Sequence, residues 1–300
     1  MNGIEGEDMY QLKVINGKNV FIVESHHHAL LPWSLIKKGF DANLILISLD
    51  HHTDCMPAFN AHRCIESKSD DAKYDQMFET LFSDFNYQDE KSVLRAIYKL
   101  RYDEQIHTAI CGKIFTHSFS INFSDQTPSV EELTYRNLIS IQFKKMLHEG
   151  IPLKEIEKPK GPYTYELPRN GMFTISPDCY LGCLKVPHDD ECRIRLYADA
   201  IESDYLSYQL AVASQMSFTS GLGSLDKSPY VLDIDLDYFH SDKSIKPKDP
   251  KKFYSLIRDA KALTVAMERR CVETLKLEGE QIDSEKLLVQ LLGHIHNATA

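Results

Sequence analysis

The sequence predicts an α/β fold of three layers, with helices on both faces of a mostly parallel central sheet. Three observations carry that expectation. Strand-like apolar runs alternate with helical segments along the chain, NLILISLD and ALTVAMER are apolar enough to be covered on both faces, and no internal repeat suggests a solenoid. The 300 residues, 43% hydrophobic and 26% charged, suffice for a full core, and one domain over 1–300 is expected.

QLKVINGKNVFIVES reads as two strands around Asn16-Gly17, the dipeptide that best supplies the positive φ angles of a tight hairpin turn; the second strand ends near Glu24. HHHALLPWSLIKKGF reads as a helix with Pro32 near its start and Gly39 as its stop, and NLILISLD as a buried strand. A right-handed crossover makes these two strands parallel neighbours with their C-terminal ends at one edge. Residues 70–101 read as helices covering a sheet face. HSFSINF is a strand, and a helix runs from Ser129 to about His148 with Glu131 and Glu132 in its first turn. EIEKPKGPYTYELPRNGMF reads as a loop and hairpin, part of a lid or insertion at about 155–195. DAIESDYLSYQLAVASQM is helical, YVLDIDLDYF a strand, DPKKFYSLIRDAK a helix and ALTVAMER a buried strand. SEKLLVQLLGHIHN closes the chain as a helix capped by Ser284.

The charge balance, 34 Lys+Arg against 44 Asp+Glu for a net −10 at pH 7, argues against general nucleic-acid binding and suits a cationic ligand. The acidic start, MNGIEGEDMYQ, lacks the basic and apolar regions of a signal peptide, and no apolar run approaches membrane-spanning length. The 7 cysteines are odd in number and scattered, which suits a reducing cytoplasm better than a disulfide framework.

Three strand ends carry the chemistry: Glu24-Ser25-His26-His27-His28, Asp50-His51-His52-Thr53-Asp54 and Asp233-Ile234-Asp235-Leu236-Asp237. On an extended backbone alternate side chains share a face, so Asp50, His52 and Asp54 point one way, as do Asp233 and Asp235. Carboxylates crowded at the end of an apolar strand repel one another and lose hydration unless a cation joins them. Any one cluster alone reads as helix caps and surface histidines; the three together read as a metal site. Carboxylates with imidazoles suit a divalent ion such as manganese, and two ions bridged by carboxylates fit the number of acids.

These segments carry a family resemblance. DHHTD resembles the DxHxD motif of ureohydrolases, the arginase and agmatinase group, and LDIDLD resembles their strand ending in DxD; histone-deacetylase-like enzymes share that fold more distantly. In order and spacing, VESHHHALLPW, LISLDHHTDC and VLDIDLDYF look like the divergent branch that includes the peptide arginases of ribosomal-peptide maturation. The resemblance spans about 20–270, with its specific motifs confined to the three strand ends.

It implies an arginase/deacetylase-like fold, two Mn2+ ions, and hydrolysis of arginine in a precursor peptide to ornithine and urea. By the family pattern His26, Asp50, Asp54 and Asp233 hold one ion and Asp50, His52, Asp233 and Asp235 the other, so that Asp50 and Asp233 bridge. Asp237 stands as a residue supporting the ligands. Glu268, at the end of ALTVAM, takes the place of the acid that holds the guanidinium; its other reading is a surface Glu paired with Arg269 or Arg270. Glu24 reads as an acceptor orienting His26 or as a helix cap. His51 and His117, with His27 and His28, are the candidates for proton transfer.

The competing readings are a hydrolase of free arginine or agmatine, a metal-dependent deacetylase, and a non-catalytic peptide-binding module. Two further features stand apart. Cys179, Cys183, His188 and Cys192 approach zinc-knuckle spacing, against a reading as ordinary reduced thiols. Tyr163, Tyr165 and Phe173 either line a peptide groove or complete a small core.

Overall fold

Asn16 and Gly17 both take positive φ, 48° and 83°, and join β1 (Tyr10–Ile15) to β2 (Lys18–Val23) as an antiparallel hairpin. A Cβ added to Gly17 meets nothing within 4 Å, so Gly17→Ala tests the backbone cost alone. It is expected to lower stability by about 1 kcal/mol, read as a shift in the denaturant midpoint.

The structure, a computed structural model, describes residues 9–124, 130–152, 161, 163–175, 177 and 189–300. A 3-10 turn at His26–Ala29 leads into α1 (Leu30–Lys38), which stops at Gly39 before β3 (Ile45–Asp50). Four helices follow: α2 (Asn60–Ser67), α3 (Asp71–Ser83), α4 (Glu90–Ile97) and α5 (Gln105–Cys111). Next come β4 (Ser118–Asn122), α6 (Val130–Glu149), β5 (Met172–Ile175), α7 (Asp190–Ala198) and α8 (Ser203–Thr219). β6 (Tyr230–Asp235) runs into a 3-10 turn at Leu236–Tyr238, then α9 (Lys251–Asp259), β7 (Leu263–Ala266), α10 (Arg269–Leu275) and α11 (Ser284–Thr299).

The strand order is β1-β2-β7-β6-β3-β4-β5, parallel throughout except for β1. Alternation along each strand sends side chains to two cores. Ile45, Ile47 and Leu49 of β3 join Leu232 and Ile234 of β6 against Tyr205 of α8, Phe253 of α9 and Leu287 of α11. Leu46, Val231 and Val23 face the other way, onto Leu30 and Trp33 of α1, Val93 of α4 and Ile106 of α5. This is the three-layer α/β/α arrangement. No helix among the described residues is long and apolar enough to cross a membrane.

Four local expectations change. β2 and β3 are parallel but not neighbours, because β7 and β6 pair between them and fill the centre of the sheet with strands apolar on both faces. No hairpin forms at Gly171-Met172-Phe173: these residues lead into β5, a parallel edge strand on β4, where Phe173 stacks on Phe119 with centroids 4.9 Å apart. Tyr165 is buried and Tyr163 packs against the same core, so the aromatics complete packing. Asp283, not Ser284, caps α11: its Oδ1 accepts the Lys286 N–H at 2.8 Å, while Ser284 is the first helical residue. Helix α8 begins at Ser203, since Asp199 ends the unanticipated α7. Cys179, Cys183 and His188 lie outside the described residues, as does most of the expected insertion; Cys192 is buried in the first turn of α7.

Candidate metal centre

Because β2, β7, β6 and β3 run the same way side by side, their C-terminal ends meet at one edge. Asp50 is the last residue of β3 and Asp235 the last of β6; His26 lies three residues past β2 and Glu268 two past β7. Asp50 shares the α1-facing side of β3 with Leu46 and Ser48, and Asp233 and Asp235 share that side of β6 with Val231. Asp54 turns back toward them through a left-handed backbone, φ 48°, and its Oδ2 accepts from the Gln105 side-chain amide.

His26, buried, is the hub. Its Nδ1 lies 2.8 Å from Asp54 Oδ2 and 3.3 Å from both Asp50 Oδ2 and Asp235 Oδ2. Its Nε2 faces the opposite way, 2.7 Å from Asp233 Oδ2. His52 Nδ1 lies 3.1 Å from Asp237 Oδ2 and 3.7 Å from Asp50 Oδ1. Two sets of ligand atoms therefore gather within 4.8 Å, His26-Asp50-Asp235 and Asp50-His52-Asp237, with Asp50 in both. Asp50 Oδ2 and Asp237 Oδ2 are buried without a hydrogen-bond donor. Buried acceptors aimed at one another from several strands are the signature of a cation site, and these clusters could hold a metal ion.

Asp233, expected as a bridging residue, belongs to neither of these two sets. Ser48 Oγ donates to its Oδ2 at 2.9 Å, Thr264 Oγ1 donates to its Oδ1, and His26 Nε2 lies 2.7 Å from the same Oδ2. Trp33 Nε1 in turn donates to Thr264 Oγ1 at 3.0 Å, locking the group from behind. Asp233 is the carboxylate that orients the imidazole, leaving Nδ1 to face Asp50, Asp54 and Asp235. Asp237 stands in the cluster instead, because the 3-10 turn after Asp235 swings it toward His52, where the His51 N–H donates to its Oδ1 at 3.3 Å.

The electrostatics reflect a shortage of positive charge. Burial raises Asp54 and Asp235 well above the usual carboxylate range, with neighbouring carboxylates adding to it, and lifts Asp237 to about 6 with Asp50 as the next cause. Burial opposes a proton on His26, but Asp233 and Asp54 outweigh it and raise its pKa well above the ordinary value. The carboxylates of Asp237 and Asp50, 3.1 and 3.7 Å from its ring, lift His52 to about 11. Asp50 resists burial and stays below its ordinary range through His26 and His52.

Both signs point one way. Asp237 contributes stability below its ordinary 3.8 and loses it as pH rises through about 6; His52 does so from 6.5 toward about 11. Metal-free protein therefore weakens as pH climbs, while metal binding strengthens because its ligands must shed protons. The gap in melting temperature between manganese-loaded and chelated protein is expected to widen from about pH 5 to pH 8. A constant gap across that range would contradict the cluster's role.

Glu268 sits in a left-handed conformation, φ 32° and ψ 51°, and its Oε1 accepts the His26 backbone N–H at 2.6 Å. It pairs with neither neighbouring arginine. Arg269 instead contacts Glu24 and, through Nε, Glu285 at 2.7 Å, so Glu24 neither orients His26 nor caps the following turn. A cavity of about 210 Å3 is lined by His26, His52, Asp54, Asp235, Asp237 and Glu268, joined by Tyr102, Asp103 and Cys271. The last three had no motif to announce them, although Cys271 lies at helical spacing from Glu268, with Sγ 3.8 Å from Oε2.

The proton-transfer candidates fall away from this cavity. His51 faces the other side of the sheet, its Nδ1 3.0 Å from His240 Nε2; His240 donates from Nδ1 to Leu275 O at 2.8 Å and stacks on Tyr197. His117 precedes β4 at the opposite edge, with Nδ1 3.0 Å from Thr116 Oγ1 and its ring against Phe119 and Phe173. Its place at a strand start, not a strand end, removes it from the site. His27 and His28 pack ring to ring at 4.4 Å, and burial holds His27 down to about 4. Comparison of the chain with protein-family models, curated proteins and solved structures gives no match.

Proposed function

We propose that this chain is a metal-dependent hydrolase of the guanidinium group of arginine residues in a peptide, releasing urea and leaving ornithine. One observation carries the reading: four carboxylates and two imidazoles converge on a cavity whose wall includes Glu268. The ureohydrolase resemblance of DHHTD and LDIDLD supplies the reaction, and the geometry favours placing its DxD on Asp235 and Asp237. His26, Asp50, Asp54 and Asp235 would hold one ion and Asp50, His52, Asp235 and Asp237 the other. Four carboxylates balance two divalent ions, and oxygen with imidazole donors suits manganese.

When bound, such ions lower the pKa of water and stabilise charge that develops during attack on the guanidinium carbon. The chain's own residues prepare the rest. Asp233 fixes the His26 ring, and Gln105 fixes Asp54. With Oε1 of Glu268 anchored on the His26 N–H, its second oxygen accepts from the substrate guanidinium. The acid-lined chamber attracts a cation and repels an anion. The proposed partner is an arginine-containing precursor peptide, and the proposed setting is the cytoplasm.

The test is mass spectrometry of arginine-containing peptides after incubation with manganese-loaded protein, against chelated protein. Loss of a CH2N2 unit per arginine with stoichiometric urea is the expected result. Free arginine, agmatine and an acetyl-lysine peptide run alongside separate the competing substrates, and the absence of urea from every guanidino compound would end the hydrolase reading.

A further inference from the structure

The chamber adjoins a second cavity of about 580 Å3, within the range of ligand pockets, and the two share His52, Tyr102, Glu268 and Cys271. Their charges differ. Asp54, Asp103, Asp235, Asp237 and Glu268 line the inner chamber, whereas the outer wall brings two guanidinium groups, Arg269 and Arg270, to the same opening. Arg269 is neutralised within the protein by Glu24 and Glu285. Lys276, just after α10, is paired with Glu273 at 2.7 Å. Arg270 is exposed, and its guanidinium makes no ion pair or hydrogen bond among the described residues.

That asymmetry has a recognition consequence. A ligand whose cationic end enters the acidic chamber would have any carboxylate of its own repelled by the same acids, unless the rim offers a cation. Arg270 offers one, with a planar fork that matches a carboxylate in two parallel hydrogen bonds. Tyr102, 65% exposed and lining both cavities, stands where such a ligand passes from rim to chamber.

We propose that Arg270 binds a carboxylate carried by the substrate, so that the site selects a zwitterion with its cationic end in the chamber and its carboxylate at the rim. The inference rests on the guanidinium substrate proposed above and adds a second recognition element to it. The carboxylate has two sources of the same chemistry, the α-carboxylate of free arginine or an acidic side chain beside arginine in a peptide.

The experiment compares kcat/KM within two pairs of ligands: arginine against agmatine, which lacks the carboxylate, and capped peptides with Glu or Gln next to the arginine. In manganese-loaded wild type the carboxylate-bearing member of a pair is expected to lead by about tenfold, mainly through KM. Arg270→Gln should bring that ratio to about one and Arg270→Lys should restore part of it. A response in the first pair assigns the carboxylate to arginine itself, and a response in the second assigns it to a neighbouring residue. A wild-type ratio of one in both pairs, or a ratio that survives Arg270→Gln, overturns the role of Arg270 and leaves the hydrolase reading standing. Calorimetric Kd values for the same four ligands supply a readout independent of turnover. A carboxylate preference that Arg270→Gln abolishes, with no urea formed from any ligand, supports rim recognition and overturns the hydrolase reading instead.

Discussion

Asp50→Ala and Asp237→Ala should release bound metal, whereas Asp233→Asn should retain it. Asp50 offers one oxygen to each ligand set, Oδ2 toward His26 and Oδ1 toward His52, so its loss is expected to empty both positions. Asp237 serves only the His52 set, and its removal should cost one ion of two. Asp233 already accepts from Ser48, Thr264 and His26, so its replacement by Asn disturbs the orientation of His26 without removing a ligand. Loss of such a supporting carboxylate weakens metal affinity by about 10–100-fold, and loss of a ligand by more. Metal content after gel filtration, with thermal melts to confirm folding, reads each outcome. Retention of both ions by Asp237→Ala together with release from Asp233→Asn would reverse the assignment.

That choice between Asp233 and Asp237 marks the limit of what the sequence could say. Alternation along DIDLD puts all three acids on one face if the strand stays extended, so spacing cannot select two of them. The selection comes from outside the segment. Ser48 and Thr264 lie beside Asp233 in the register of β3 and β7 and each donate to one of its oxygens, while the backbone leaves the extended form at Leu236 and redirects Asp237. The strands were legible because VFIV, LILISL and LTVA are apolar runs between turn signals, and the hairpin because Asn-Gly tolerates its angles.

Strand order was not legible in the same way. A crossover from β2 to β3 reads the same whether or not later strands insert between them. Histidines were the least legible of all. His26, His51 and His117 are one residue type, and only tertiary placement distinguishes a ring facing carboxylates from one bonded to His240 and one packed between phenylalanines. Gln105, Tyr102 and Asp103 reach the site from α5 and the loop before it, a stretch with no pattern to connect it to the strand ends.

Glu268→Gln should lower kcat/KM for guanidino substrates by about 100-fold or more while both metals stay bound. The substitution separates two jobs held by one carboxylate. Oε1 accepts the His26 N–H at 2.6 Å and supports a backbone held at φ 32°, a conformation that a residue with a Cβ rarely takes. Gln keeps a carbonyl oxygen for that bond, so the turn after β7 and the placement of His26 should survive. What Gln cannot keep is the second acceptor: its amide NH2 presents donors to a guanidinium that has only donors to offer, and the negative charge is gone. Glu268→Ala removes both jobs and should also lower the melting temperature, because the His26 N–H loses its acceptor. The informative comparison is therefore Gln against Ala. Equal melting temperatures for Gln and wild type, with activity lost in Gln, place Glu268 on the substrate. Undiminished kcat/KM in Glu268→Gln would leave it only the structural bond to His26.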